Sequence, residues 1–371
     1  MKILCVIDSL GSGGAQRQMV NLAIGLKAKG HDVELLIYFP ELRFFKGELG
    51  AAGIPVYEVH KSKGFSFKVL GKLITLMRSG KYKAVISFLS APNIYVELAI
   101  MISRPKLKSI VSERSSYTQE SRSLFRKIPR YLHIWADTVV ANSHSHANWL
   151  RSHGHLRYKT HVIYNGYPLL ATEDQPDHYK KDKVVAFLVV GRINAGKNGV
   201  RLVKALVLFH QRNGYAPSVS WVGRQETDPQ SLQTRAEMDR LLGENPQVSA
   251  RWRWLGERED IPQLMASCNS LIHVSLYEGL PNVVCEALMA GRPVIASNVC
   301  DHPFLIEDGV RGLLCDPLSS DSICATLEKF TAMTATEKAT LGQNARNYAE
   351  QNLTIARMVT EFETFIFDGT H

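Results

Sequence analysis

The chain has 371 residues and a mass of 41.5 kDa, enough for two domains of ordinary size, each with its own core. Hydrophobic residues make up 45% and charged residues 21%, which excludes a fibrous or disordered chain. The net charge of +9 is unevenly placed: residues 1–165 hold 24 Lys and Arg against 10 Asp and Glu, so an anionic partner fits that half, whether phospholipid head groups, nucleic acid or a diphosphate.

In chain order, MKILCVIDSL reads as a buried first strand, because it runs into a Gly-rich loop rather than a small-residue cleavage site. A helix is predicted from about Ala15 to Lys29, followed by strands at DVELLIYF, AVISFL and SIVSE. The apolar run around Ile94 to Ile102 contains Glu97 and falls short of the roughly 18 to 20 residues of a membrane span. Residues 166–183 carry Pro, Asp and Lys without periodicity and are placed as the interdomain linker. Five more strands are predicted at KVVAFLVVG, VSWVG, WRWLG, NSLIHVSL and RPVIAS. Strands alternating with helices imply parallel βαβ units, hence an α/β fold of two Rossmann-like doubly wound domains, residues 1–170 and 171–371. The six cysteines (Cys5, Cys268, Cys285, Cys300, Cys315 and Cys324) show no paired spacing, and a reduced, cytoplasmic protein is expected.

The segment SLYEGLPNVVCEALMAGRPVIAS places Glu278 and Glu286 in one strand-loop-helix unit, with Pro281 suited to the first helical turn. Ligands of open α/β sheets bind outside the carboxyl ends of strands, and helix starts attract phosphate. The carboxylates would accept bonds from sugar hydroxyls; taken alone, they read rather as a solvated and a capping glutamate. In GRINAGKNG, Gly191 is followed by Arg192 and Lys197, two cations that can neutralise a departing diphosphate without a metal, or else a pair of solvated charges beside a turn. The loop SLGSGGAQRQMVNLA lacks strict G-x-G-x-x-G spacing at Gly11, Gly13 and Gly14. His144, His146, His153 and His155 suggest no metal site, since helical positions two apart do not face each other and no Cys or carboxylate completes a ligand set.

Two glutamates seven residues apart in an EGLP context resemble the signature of glycosyltransferase family 4. GRINAGK is similar to that family's Gly-Arg…Lys element and GGAQR to its GGA-[EQ]-R loop; VVANSHS, VIYNG and SNVCDHPFLIEDGVRGLLCDP agree in order. The resemblance spans nearly the whole chain and implies a GT-B architecture, two such domains facing across a cleft, with the last helix packing back on the first. It implies that Glu286 binds the donor ribose, Glu278 contacts the transferred sugar, and Leu280, Pro281, Asn282 and Val283 face the diphosphate. Gly13 and Gly14 would lie toward donor and acceptor, with Gly14 approaching Arg192. Where many relatives place a cleft His or Asp this chain has Glu113 and Arg114, proposed as cleft residues, although Glu113 equally suits a structural ion pair. Cys300, Asp301 and His302 replace a Gly-Gly element, so sugar or acceptor preference is expected to differ.

The implied reaction is retaining transfer from a nucleoside-diphosphate sugar, a UDP-sugar by default, to a glycan or glycolipid hydroxyl, with no cofactor and no metal. A nucleotide-sugar 2-epimerase of the same architecture is the alternative within enzymes. A nucleic-acid partner is not expected, for want of an RNP-like or helix-turn-helix signature. Finally, KSKGFSFKVLGKLITLMRSGKYK mixes Lys61, Lys63, Lys68, Lys72, Arg78, Lys81 and Lys83 with Phe65, Phe67, Leu70, Leu73 and Leu76. Such a helix can lie on an anionic membrane, apolar face inward, or pack on its own sheet. With a second basic run at Arg122, Arg126, Lys127 and Arg130, between Phe125 and Tyr131, it suggests peripheral attachment to the inner face of the cell membrane.

Overall fold

The computed structural model describes residues 1–114, 131–169 and 185–367. They form two compact units, Met1–Pro168 with Leu353–His371, and Leu169–Asn352.

The first unit holds a sheet of seven parallel strands: β1 (Lys2–Val6), β2 (Asp32–Ile37), β3 (Val56–Glu58), β4 (Ala84–Phe88), β5 (Lys108–Glu113), β6 (Thr138–Ala141) and β7 (Thr160–Val162). Their order is β3-β2-β1-β4-β5-β6-β7. Apart from the half-buried Lys2 that opens β1 and the buried Ser87 of β4, the central strands β1 and β4 are apolar and buried, as expected when helices cover both faces of a parallel sheet. Helices Gly14–Ala28 and Ile355–Phe367 contribute Met19, Leu22, Met358 and Phe362 to one core cluster. The second cluster takes Leu73 from helix Phe67–Arg78, Val96 from helix Ser90–Ser103 and Leu150 from helix His144–Arg151.

The last helix returns to this unit by specific contacts. The Tyr167 amide donates to the Leu353 carbonyl at 2.8 Å, and a Cβ on Gly166 would stand 2.7 Å from the Ile355 Cα. Gly166 and Tyr167 are therefore built into the first unit, which corrects the linker that began at residue 166. Most of the expected linker, and the boundary at 170 and 171, lie outside the described residues, as does the second basic run.

The second unit has six parallel strands: β8 (Ala186–Val190), β9 (Ser218–Val222), β10 (Trp252–Gly256), β11 (Ser270–His273), β12 (Val294–Ser297) and β13 (Gly312–Cys315). Their order is β10-β9-β8-β11-β12-β13. In each unit the strand order reverses once, between β1 and β4 and between β8 and β11; such switch points open a crevice at the carboxyl ends of the strands. Strands β3, β6, β7 and β13 have three or four residues each, too few for period or composition to mark them.

Helix Phe67–Arg78 is capped by Ser66, whose side chain accepts from the Val69 amide. Its Val69, Leu70, Leu73, Leu76 and Met77 are buried. This corrects the expectation that Leu70, Leu73 and Leu76 reach a bilayer: they cover the sheet, and only Phe65 and Phe67, 48% and 81% exposed, remain outside with the lysines. Among the described residues no helix is long and apolar enough to cross a membrane.

Candidate active site

The second unit gathers four of the sequence-derived residues at the ends of β8 and β11, its switch point. Strand β8 delivers Gly191 and Arg192, and Asn194 then caps a short turn, its Oδ1 accepting from the Lys197 amide at 3.1 Å. The turn approaches the neighbouring strand end closely enough for the Leu276 amide to donate to the Gly196 carbonyl at 2.9 Å. On the other flank, a Cβ on Gly223 would fall 2.0 Å from the Gly191 carbonyl oxygen, so β9 can end against this loop only with glycine there.

Lys197 Nζ donates to Glu278 Oε1 at 2.5 Å, and the same oxygen lies 3.1 Å from Nε2 of His273, the last residue of β11. Burial opposes charge on Glu278, but His273 and Lys197 outweigh it and hold the carboxyl well below its ordinary range. The Glu278 amide donates to Cys300 Sγ at 3.4 Å. Arg192 is exposed and its Nη1 pairs with Glu226 Oε1, whose other oxygen accepts from Asn194 Nδ2 at 3.0 Å. His273 and Glu226 were not foreseen; only proximity in the fold connects them to the motif.

Helix Asn282–Met289 begins after Pro281, which occupies the N-cap with extended backbone, one position earlier than its predicted place in the first turn. No side chain caps this start, which suits an anion. Leu280 is buried, Asn282 exposed and Val283 half-buried. Glu286 is solvent-accessible, yet surrounding protein crowds its carboxyl and, with no cation opposing, pushes it up to about 7; contact with water tempers that shift. Its carboxylate accepts no hydrogen bond from a described residue. Beside the site a cavity of about 530 Å³ is lined by Leu276, Asn298, Asp308, Asp316 and Ser322.

In the first unit, Gly13 is the extended N-cap and Gly14 the first residue of helix Gly14–Ala28, at the end of β1. Gln16 Nε2 donates to Asp8 Oδ1 at 2.8 Å, and Arg17 pairs with Glu48 at 2.6 Å. At the end of β5, Glu113 is buried and accepts from Ser90 Oγ at 3.1 Å and Asn93 Nδ2 at 3.3 Å. His133 Nε2 stands 3.3 Å from Glu113 Oε1, an ion-pair distance without hydrogen-bond geometry, while its Nδ1 meets Glu97 Oε1 at 2.5 Å. Burial opposes charge on all three. The two carboxylates nevertheless raise His133 to about 9, and His133 with His146 lowers Glu113 to about 2; Glu97 is shifted upward by burial. Arg114 lies over the Phe88 ring, 3.7 Å from its centroid, and binds Asn165 Oδ1 and Ser112 Oγ; burial lowers it to about 9. Glu113 and Arg114 are thus tied into the strand ends. Among the described residues no three His, Cys, Asp or Glu side chains converge as metal ligands.

Two family models divide the chain along the same lines: one described as Glycosyltransferase Family 4 matches residues 12–169, and one described as Glycosyl transferases group 1 matches residues 184–332. The chain is a GT-B glycosyltransferase. It is 26% identical to the Vi polysaccharide biosynthesis protein VipC/TviE of Salmonella typhi, over 97% of this chain and 70% of that one. It is 25% identical, over 85% of each chain, to the GalNAc-alpha-(1->4)-GalNAc-alpha-(1->3)-diNAcBac-PP-undecaprenol alpha-1,4-N-acetyl-D-galactosaminyltransferase of Campylobacter jejuni. Its fold is similar to that of Anabaena Alr3699/HepE, solved in complex with UDP and glucose: TM-score 0.78, 23% identity, covering 99% of this glycosyltransferase and 100% of that chain.

Proposed function

We propose that this glycosyltransferase moves a sugar from a UDP-sugar to a hydroxyl of a lipid-linked glycan, with retention at the anomeric carbon, in the building of a bacterial surface polysaccharide. The observation that carries the reading is the gathering of Arg192, Lys197 and Glu278 at the β8/β11 switch point, next to an uncapped helix start that bears Glu286 one turn on. The UDP and glucose bound by Alr3699/HepE support the donor. The acceptor named for the Campylobacter enzyme supports a lipid-linked glycan.

In this mechanism the C1–O bond to the diphosphate breaks while the acceptor oxygen bonds C1 on the same face, and the acceptor proton passes to a diphosphate oxygen. The residues assigned to these tasks are Arg192, Lys197 and the backbone of Leu280 to Val283 for the departing charge, Glu286 for the ribose diol and Glu278 for sugar hydroxyls. Both cations hold carboxylates in the free protein, and on donor binding they turn to the diphosphate and, with the helix start, supply positive charge there. That is our reason for assigning the reaction no metal. Incubation with a panel of UDP-sugars and a lipid-linked acceptor, with NMR of the product's anomeric coupling, tests the reading; an inverted product or an isomerised donor without transfer would replace it.

We also assign the first unit a peripheral membrane contact, on a narrower basis than an amphipathic helix. Residues 59–96 contain no Asp or Glu, and Lys61, Lys63, Lys68, Lys72 and Arg78 flank the exposed Phe65 and Phe67 in sequence. Phe65 stacks on Tyr95 at 4.9 Å, so the pair stands on a firm base. Two aromatic rings amid cations suit an anionic lipid interface.

A further inference from the structure

Glu278 is gripped asymmetrically. Oε1 takes both partners, Lys197 Nζ at 2.5 Å and His273 Nε2 at 3.1 Å, and neither bond uses Oε2. The two partners differ in kind. Lys197 sits at the end of a flexible stem on a turn, a mobile point charge, whereas His273 ends a buried strand and is 3% exposed. The ring of His302 meets it edge to face at 5.2 Å and 82°. That second ring is itself fixed: its Nδ1 donates to the Ser297 carbonyl at 2.9 Å, and Ser297 Oγ donates to the Ser275 carbonyl at 2.6 Å, tying the end of β12 to the end of β11.

We propose that His273 is a positioning residue for donor use: its Nε2–H holds Glu278 Oε1 against the strand end, so that Oε2 stays directed at the donor sugar when Lys197 is drawn to the diphosphate. This rests on the assignment of Glu278 to the sugar given above. A nitrogen facing a carboxylate must carry the proton, so Nε2 is the donor, and Ser275 Oγ, 3.4 Å from it, stands beside that bond. Burial keeps His273 below its ordinary range, so the ring donates as a neutral group and adds no second cation beside Lys197. His302, lowered to about 3 by burial, is neutral too. The titratable groups around Glu278 are therefore Lys197 from the turn after β8, His273 from β11, and Cys300 and His302 after β12. Of these four, Lys197 supplies the positive charge that bonds Glu278.

The test compares His273→Leu, which removes the donor at similar volume, with His273→Gln, whose Nε2 offers an N–H at similar reach. Losing a hydrogen bond to a charged group predicts a fall of about 10- to 100-fold in kcat/KM for the UDP-sugar in His273→Leu, with acceptor KM unchanged. The acid limb of the pH profile should move to higher pH, and His273→Gln should recover most of the rate. Wild-type kinetics in His273→Leu, or equal impairment of both variants with parallel losses of thermal stability, would overturn the proposal and leave His273 as core packing. Carbon-13 NMR titration of the Glu278 carboxyl, without any donor, separates this from the donor reading. The carboxyl should titrate higher in His273→Leu than in wild type even if no UDP-sugar proves to be a substrate; an unchanged titration would overturn the positioning role.

Discussion

Lys197 Nζ reaches Glu278 Oε1 across 81 residues of sequence, at 2.5 Å, joining the loop after β8 to the loop after β11. Each is the other's counter-ion in the free protein. Lys197→Ala should lower kcat by roughly 10² to 10³, the range for loss of one charge-stabilising group, and Arg192→Ala similarly. Because both act on one leaving group, the double variant should lose less than the product of the single losses. Fully multiplicative losses in steady-state assays would mean that the two cations serve different steps.

Glu286 provides a pH signature. Its carboxyl is pushed up to about 7, above the ordinary 4.5, and ribose hydroxyls donate best to the ionised form. UDP affinity should therefore rise as pH increases through about 7, and Glu286→Gln should flatten that dependence. The stability effect has the opposite sign: a raised carboxyl pKa makes the folded state bind more protons, so this group's contribution declines from pH 4.5 toward 7. Calorimetric titrations between pH 5.5 and 8.5 check the first statement; an affinity unchanged over that range would contradict it.

The buried cluster of Glu97, His133 and Glu113 is assigned to stability. His133 titrates at about 9 in the fold against 6.5 unfolded, so its contribution is complete below pH 6.5 and is lost as pH rises through about 9. Glu113, at about 2 against 4.5, contributes above pH 4.5 and loses that contribution as pH falls through about 2. His133→Leu leaves two buried carboxylates without their cation and should cost about 3 to 5 kcal/mol. Urea unfolding at pH 6 and pH 9 should show a smaller difference in the variant than in wild type; an equal difference would remove His133 as the source.

The chelator experiment is simple to state. Arg192, Lys197 and the helix start are assigned the charge that a divalent ion would otherwise neutralise, so transfer should persist in excess EDTA. Activity lost with EDTA and restored by Mg²⁺ or Mn²⁺ would refute the assignment.

For the membrane contact, co-sedimentation with vesicles containing phosphatidylglycerol should weaken with salt. It should fall on changing Lys68, Lys72 and Arg78 to Glu, and also on Phe65→Ser with Phe67→Ser. Changing Leu73, which is buried, should unfold the helix rather than act on binding selectively. Equal binding to neutral vesicles, or none to anionic ones at low salt, would refute the contact.

Both sheets were legible because β1, β2, β4, β5 and the strands of the second unit up to β12 are continuous β-rich runs between helices, and the glutamate motif lies within one local unit. What escaped was set by distance along the chain. Nothing near Arg192 announces Glu226, and His133 meets Glu97 only because helix Ser90–Ser103 and the turn at His133–Trp135 pack together. Glu97 did leave a trace, as a lone carboxylate in an apolar run; such a residue needs a buried partner. His273 hid for the opposite reason, reading as one more position in a strand, and Leu70, Leu73 and Leu76 show the same ambiguity, since an amphipathic period fits a sheet as well as a bilayer.

The central claim, that the ends of β8 and β11 with helix Asn282–Met289 form a UDP-sugar site, is tested most directly by isothermal titration of UDP into wild-type protein and Glu286→Ala. Saturable one-to-one binding by wild type, lost in a variant of unchanged unfolding temperature, is the predicted result; no binding by wild type, or equal affinity in both proteins, would contradict it.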